Sequence, residues 1–130
     1  MNHNLKELVV HFYSEFPDVD SYLHPDAVLF WNSSSGFHRM DYQSIKAMAT
    51  ELSRAYSSLR LEASHLLEEG ERVSIRFTYF VRTIENDEEE LPMAHFMAIW
   101  EVKDGKLYRG HQMSQQADDH PDNLDSFLPI

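Results

Sequence analysis

The hydrophobic period of this chain changes once, near Leu59, and that change constrains the fold more than any single motif. Upstream, apolar residues recur at helical spacing; downstream, they alternate to about residue 115. Leu5, Leu8, Val9, Phe12, Tyr13 and Phe16 mark one face of an amphipathic helix. Pro17 ends it, because the residue before a proline is pushed out of the helical region. Residues 18–23 have room for one short helical turn before Pro25. The run Ala27-Val28-Leu29-Phe30-Trp31 is too short for a helix and reads as a strand, followed by a polar loop over 32–36. Asp41 is a plausible N-cap for a second helix whose buried stripe is Ile45, Met48, Ala49, Leu52 and Tyr56.

Past Leu59 the alternation predicts four consecutive strands. Leu59, Leu61, Ala63, His65 and Leu67 alternate with Arg60, Glu62, Ser64, Leu66 and Glu68 in the first, and 68–71 is a turn. Val73, Ile75, Phe77, Tyr79 and Val81 form the second arm of that hairpin. The run Glu85-Asn86-Asp87-Glu88-Glu89-Glu90 reads as a solvated hairpin tip; a cation site there needs folded geometry that the spacing does not specify. The strand over 91–102 is apolar on both faces, with Met93, Met97 and Ile99 on one side and Ala94, Phe96, Ala98 and Trp100 on the other. Asp104-Gly105 is a strong hairpin turn into the last strand, 107–115. Helices in front and strands behind predict an α+β domain, with helices on one face of a curved antiparallel sheet. One domain spans 1–130, with a core over about 4–118 and an acidic C-terminal tail over 119–130, in which Phe127, Leu128 and Ile130 could dock. An antiparallel sheet usually shows water one face. A strand apolar on both faces therefore implies a second cover, most simply a second copy of the chain.

Composition narrows the function. With 22 acidic residues against 11 Lys plus Arg, a net charge of -11, the chain has no cationic footprint for nucleic acid or anionic membrane. The absence of cysteine excludes disulfides, thiolate zinc sites and cysteine nucleophiles. No apolar run approaches the roughly 18 residues of a membrane span. The N-terminus lacks the basic patch and apolar run of a secretory signal, so a cytoplasmic protein is expected. No spacing calls for a cofactor.

Three features together resemble the nuclear-transport-factor-2-like superfamily and, within it, the SnoaL-like proteins. They are a first helix carrying Phe12-Tyr13, the strand entry Leu23-His24-Pro25-Asp26-Ala27-Val28, and the hairpin Trp100-Glu101-Val102-Lys103-Asp104-Gly105-Lys106-Leu107. The resemblance covers about residues 4–118. It implies a cone, a strongly bent, mixed sheet wrapped around the N-terminal helices with a ligand cavity at its open end. It also implies homodimers through the outer sheet face. Enzymes of the superfamily include ketosteroid isomerase, limonene-epoxide hydrolase and the SnoaL polyketide cyclase, while other members bind small molecules.

Carried over position by position, the resemblance puts Trp31 where the isomerase has its base and Ala98 where it has its oxyanion-hole acid. Neither side chain serves that chemistry. Tyr13 matches the isomerase's donor tyrosine. Gln112 stands where SnoaL has its acid; an amide hydrogen-bonds a ligand but does not shuttle protons at neutral pH. Arg76 lacks the same-face carboxylate that the hydrolase relay requires.

Two readings of function stand. In the first, Tyr13, Trp31, Met48, Leu52, Phe96, Ala98, Trp100, Tyr108 and Gln112 line an aromatic cavity for a small, mostly apolar molecule, without the family's proton-transfer carboxylates. The same side chains could instead fill a core with no cavity. In the second, an isomerase, cyclase or hydrolase uses Tyr13, His95 or His111 in a new arrangement. His95 and His111 lie on adjacent predicted strands and could approach one another, with His65 as the remaining strand histidine for a metal. Strand parity puts Ala98 and Gln112 toward the cavity and both histidines on the other face, unless a bulge reverses it. Structural histidines, partly buried or at an interface, satisfy the same pattern, and no metal is expected.

Overall fold

Alternation and turn chemistry account for most of the sheet. The computed structural model describes residues 4–14, 18–118 and 120–127. Its elements are α1 (Leu5–Ser14), a 3-10 turn (Val19–Ser21), β1 (Leu23–Ser33), β2 (Gly36–Asp41), α2 (Tyr42–Ala55), β3 (Tyr56–Glu69), β4 (Arg72–Thr83), β5 (Leu91–Lys103), β6 (Lys106–Gln116) and α3 (Pro121–Asp125). They form one six-stranded sheet in the order β2-β1-β6-β5-β4-β3. The β1–β6 pair is parallel and every other pair antiparallel, so the sheet is mixed and the class is α+β, as expected. Phe16 and Pro17, expected to finish the first helix, and Leu128 and Ile130 of the tail lie outside the described residues.

Two local features depart from the sequence expectation. The loop expected over 32–36 is a tight turn, and Gly36–Asp41 is an edge strand paired along β1 from Val28↔Asp41 to Ser33↔Gly36. This strand is almost wholly exposed, so no burial pattern marks it in the sequence. The hairpin strands are also longer than the alternation implied, with β3 beginning directly at the end of α2. Asp41 does cap α2: its carboxylate accepts from the Ser44 backbone N–H at 2.9 Å and from the Ser44 hydroxyl at 2.9 Å.

One face of the sheet packs against α1 and α2. Val73, Ile75, Phe77 and Tyr79 of β4 and Phe96, Ala98 and Trp100 of β5 are buried there with Leu5, Val9, Phe12 and Tyr13 of α1 and Ile45 and Ala49 of α2. Register aligns rows across the strands, such as Trp31↔Gln112↔Ala98↔Ile75 and Leu29↔Gly110↔Trp100↔Val73. In the second row Trp100 is fully buried, and its ring lies over Gly110. A Cβ at position 110 would come within 2.7 Å of that indole. Glycine is required there because a neighbouring ring occupies the space.

The opposite face is covered in part by the chain's own tail. His95 and Thr78 point to this face yet are buried. Phe127 stacks on His95 with centroids 4.3 Å apart, and the Arg76 guanidinium lies 3.6 Å from the Phe127 ring centre while donating to the Ser126 carbonyl at 2.8 Å. Beside this strap, Met97, Ile99 and Met113 remain exposed. The acidic 85–90 segment is a surface connection; its last residue, Glu90, pairs with Arg60 at 2.8 Å.

Replacing Gly110 by alanine should force the Trp100 ring to shift and cost roughly 1–3 kcal/mol, the usual range for overpacking a filled core. Urea denaturation of the G110A variant checks this, and unchanged stability would show that the ring has room to move.

Candidate functional site

A cavity of about 150 Å³ opens between α1, α2 and the inner sheet face, lined by Phe12, Tyr13, Leu29, Trp31, Ile45, Met48, Leu52, Tyr79, Met93, Phe96 and Gln112. The helices supply Phe12 and Tyr13 from the end of α1 and the Ile45, Met48, Leu52 stripe of α2. The i, i+3, i+7 spacing of that stripe keeps all three on one helix face. The sheet supplies the rest. Trp31 and Met48, Leu52 and Met93 are half-buried, and the deeper residues are almost fully buried.

A chain of hydrogen bonds runs beneath this apolar space. The Trp100 indole N–H donates to the Tyr13 hydroxyl at 2.9 Å, and that hydroxyl donates to Gln112 Oε1 at 2.6 Å. The Tyr79 hydroxyl donates to the Tyr13 backbone carbonyl at 2.6 Å. Trp31 Nε1 donates to Ser114 Oγ at 2.8 Å, which holds the indole over the cavity. Rings of Phe12, Tyr13, Phe77, Tyr79 and Phe96 pack edge-to-face, stacked or, for Tyr13 on Phe77, tilted, with centroids 4.7–5.2 Å apart, within the range of favourable aromatic pairs.

The ionisable groups among the described lining residues are the phenols of Tyr13 and Tyr79. Burial pushes the Tyr13 phenol well above its ordinary value, and the Trp100 hydrogen bond only partly offsets this. Tyr79 is pushed up by burial first and by the proximity of Tyr13 second. Both are therefore neutral at physiological pH and act as hydrogen-bonding groups.

Of the residues expected to line the pocket, the structure brings together Tyr13, Trp31, Met48, Leu52, Phe96 and Gln112. Ala98, Trp100 and Tyr108 are corrections. Ala98 points inward but is packed in the core, and Trp100 lies deeper still, below Tyr13 and against Gly110. Tyr108 is displaced by a bulge: Glu101 pairs with Arg109 but Val102 with Leu107, leaving residue 108 as the extra one. Its ring sits near His24, Lys103 and Arg109 instead. Phe12, Leu29, Ile45 and Tyr79 also line the cavity; their inward side is readable, but nothing in the sequence separates a cavity wall from filled core. Met93 is a correction: alternation sets it with Met97 and Ile99 on the other side of the strand, whereas a bulge, with Tyr79 paired to Ala94 but Phe80 to Pro92, lets it reach the cavity.

The histidines do not converge. His111 pairs with Ile99, four residues along β5 from His95, which separates them by roughly 13 Å at a strand rise of about 3.3 Å per residue. The expected approach of the two is thus absent. Both lie on the sheet face away from the cavity, His95 under the tail and hydrogen-bonded to Thr78 at 2.8 Å, His111 stacked on Phe30 at 5.1 Å. His65 neighbours Ser64 on β3. Burial holds the His95 pKa below its usual value, with Arg76 adding to this and Asp118 opposing it. Among the described residues no three His, Asp or Glu side chains come together as a metal site. No helix among them is long and apolar enough to cross a membrane.

Raised tyrosine values have a consequence with a definite sign. A phenol whose folded pKa exceeds its unfolded value of about 10 contributes stability that is intact below that value and is lost as pH rises through the folded pKa. Ultraviolet tyrosinate titration should show two phenols, those of Tyr13 and Tyr79, ionising only when the protein unfolds in alkali. The Tyr13→Phe variant should lose one of the two. Ionisation of all six tyrosines in one step with the fold intact would contradict this.

Comparison with known proteins agrees with the geometry. No curated protein matches the sequence. Among solved structures, the chain is similar to IdmH from Streptomyces antibioticus, a candidate polyketide cyclase, with a TM-score of 0.68 at 13% identity over 86% of this chain and 92% of that one. It is similar to a Catenulispora acidiphila protein with a ketosteroid isomerase-like fold, in complex with trimethylamine, with a TM-score of 0.63 at 9% identity over 82% and 83% of the two chains. It is also similar to TerC co-crystallised with polyporic acid, with a TM-score of 0.57 at 22% identity over 82% and 87%. These likenesses show the nuclear-transport-factor-2-like fold. The model of the SnoaL-like domain matches residues 13–110, from the cavity tyrosine to the glycine beneath Trp100, and this chain belongs to that family.

Proposed function

We propose that this SnoaL-like protein binds a small, uncharged, mostly apolar molecule in the cavity between α2 and the sheet, without a carboxylate in a proton-transfer role. The observation that carries this is the composition of the lining, in which the described ionisable groups are two phenols held neutral by burial. A positioned general base typically contributes about 10²–10⁴-fold to proton transfer, and neither phenol is a base near neutral pH. Apolar cavities of about 150 Å³ stay dry and take up molecules the size of benzene. TerC, a protein of similar fold, was co-crystallised with polyporic acid, which supports a small-molecule ligand here. The enzymatic reading, with Tyr13, His95 or His111 as the working group, has Tyr13 alone at the cavity.

The same proposal includes a homodimer through the outer sheet face. Met97, Met113 and Ile99 are exposed side by side there, since Met97 pairs with Met113 and Ile99 with His111. Phe37 of β2 extends the apolar area across Phe30. A contiguous apolar patch of this kind marks an interaction surface in soluble proteins. The described part of the tail, to Phe127, leaves these side chains exposed.

Binding of toluene, followed by titration calorimetry, tests the cavity. Trp31→Asp should weaken toluene binding at least tenfold and, because the indole is half-buried, cost roughly 2–3 kcal/mol of stability. Absence of toluene binding, or efficient turnover of a ketosteroid or an epoxide by the wild-type protein, would overturn the reading. For the assembly, light scattering should give twice the chain mass of 15.3 kDa, and Met97→Glu should return the single-chain value. A monomer at micromolar concentration would refute the dimer.

A further inference from the structure

The two ends of the Gln112 amide are in different circumstances. An indole N–H can only donate, so the Tyr13 oxygen accepts from Trp100, and the one phenol proton is left to go to Gln112. The Gln112 atom facing Tyr13 is therefore the oxygen, and the NH₂ group points the other way. That nitrogen has no hydrogen-bond partner among the described residues, although Gln112 is only 4% exposed and lines the cavity. The other polar groups at the wall are engaged: Trp31 Nε1 by Ser114, the Tyr79 hydroxyl by the Tyr13 carbonyl. Among the described residues no fully buried side-chain nitrogen or oxygen lacks a partner, so this nitrogen keeps some accessible surface, and an amide donor beside an apolar space gains a hydrogen bond when a ligand acceptor reaches it.

Resting on the reading of the cavity as a small-molecule site, we infer that Gln112 makes it selective for ligands that present a hydrogen-bond acceptor, with a single-ring neutral ketone, aldehyde or quinone as the class that fits. The cavity volume of about 150 Å³ sets the size at one ring. The described lining offers no charged partner, so an ionised ligand would lose its hydration without compensation. Tyr13 is the positioning residue. By taking the carbonyl end of the amide it prevents the side chain from turning over and offering an acceptor to the cavity. Ligands whose polar group only donates are excluded on the same ground.

The test uses acetophenone and ethylbenzene, which share ring and chain length and differ in the carbonyl. In ¹⁵N-labelled wild-type protein, acetophenone should shift the side-chain NH₂ resonances that disappear in Gln112→Met, and ethylbenzene should shift them far less. The ratio of ethylbenzene to acetophenone dissociation constants should fall at least roughly fivefold in Gln112→Met, the usual worth of one such hydrogen bond. Tyr13→Phe, in which nothing holds the amide oxygen away from the cavity, should admit pyrrole, whose N–H only donates, at least roughly fivefold better relative to benzene. A role for Tyr13 confined to stability would leave that relative preference unchanged. If both aromatic probes bind but the NH₂ resonances stay fixed and the ratios match between wild type and variants, the inference fails while the apolar cavity stands. If neither probe binds, the cavity reading fails and the inference with it.

Discussion

The Tyr13 side chain is the point on which the arrangement turns. It enters from the last turn of α1 and is held by three strands: its carbonyl by Tyr79 of β4, its oxygen by Trp100 of β5, its proton by Gln112 of β6. Its ring packs against Phe12 and Phe77. A buried hydroxyl without partners would be destabilising, whereas one that both donates and accepts fixes the helix at a single height over the sheet. That height leaves the space bounded by Trp31, Met48 and Phe96 unfilled by helix side chains. The cavity is thus a result of how a polar group is satisfied at its floor.

The two faces of the sheet differ: the inner one carries the cavity, the outer one a cover from the chain's own tail. On the inner face Gly110 lets the Trp100 ring lie flat across β6, and this brings the indole N–H under Tyr13. On the outer face the chain uses its own tail, with Phe127 between His95 and Arg76, to bury two polar residues that would otherwise meet water. The aromatic strap covers the part of β5 around His95, and Met97 and Ile99 further along the same strand stay open. The outer face of this apolar strand is therefore covered by the chain's own tail near His95 and exposed around Met97 and Ile99.

Much of this was legible in the sequence, for physical reasons specific to each element. The change of period at Leu59 marks the strands because all but the one over 91–102 have one wet and one dry side, and the Asp104-Gly105 turn sets the register that sends Phe96 and Gln112 inward. The edge strand Gly36–Asp41 was not legible, since an exposed strand has no burial pattern to display. Tyr108 was misplaced because parity counting cannot see a bulge, and the extra residue in β6 turns that ring away. Parity also carried His95 and His111 to the outer face correctly but said nothing of how far apart they sit along it. The burial of His95 depends on Phe127, over thirty residues later in the chain, and no local pattern encodes such a contact.

The central claim is that the space above Tyr13 is a preformed apolar cavity in the folded protein. Diffraction from a crystal pressurised with xenon tests it most directly, because xenon enters dry apolar cavities of about this size and needs no chemistry to be recognised. The account predicts a xenon peak in contact with Trp31, Met48 and Phe96, with Tyr13 and Gln112 still hydrogen-bonded below it. A crystal in which no xenon enters and the Trp31 or Met93 side chain fills that volume would contradict it.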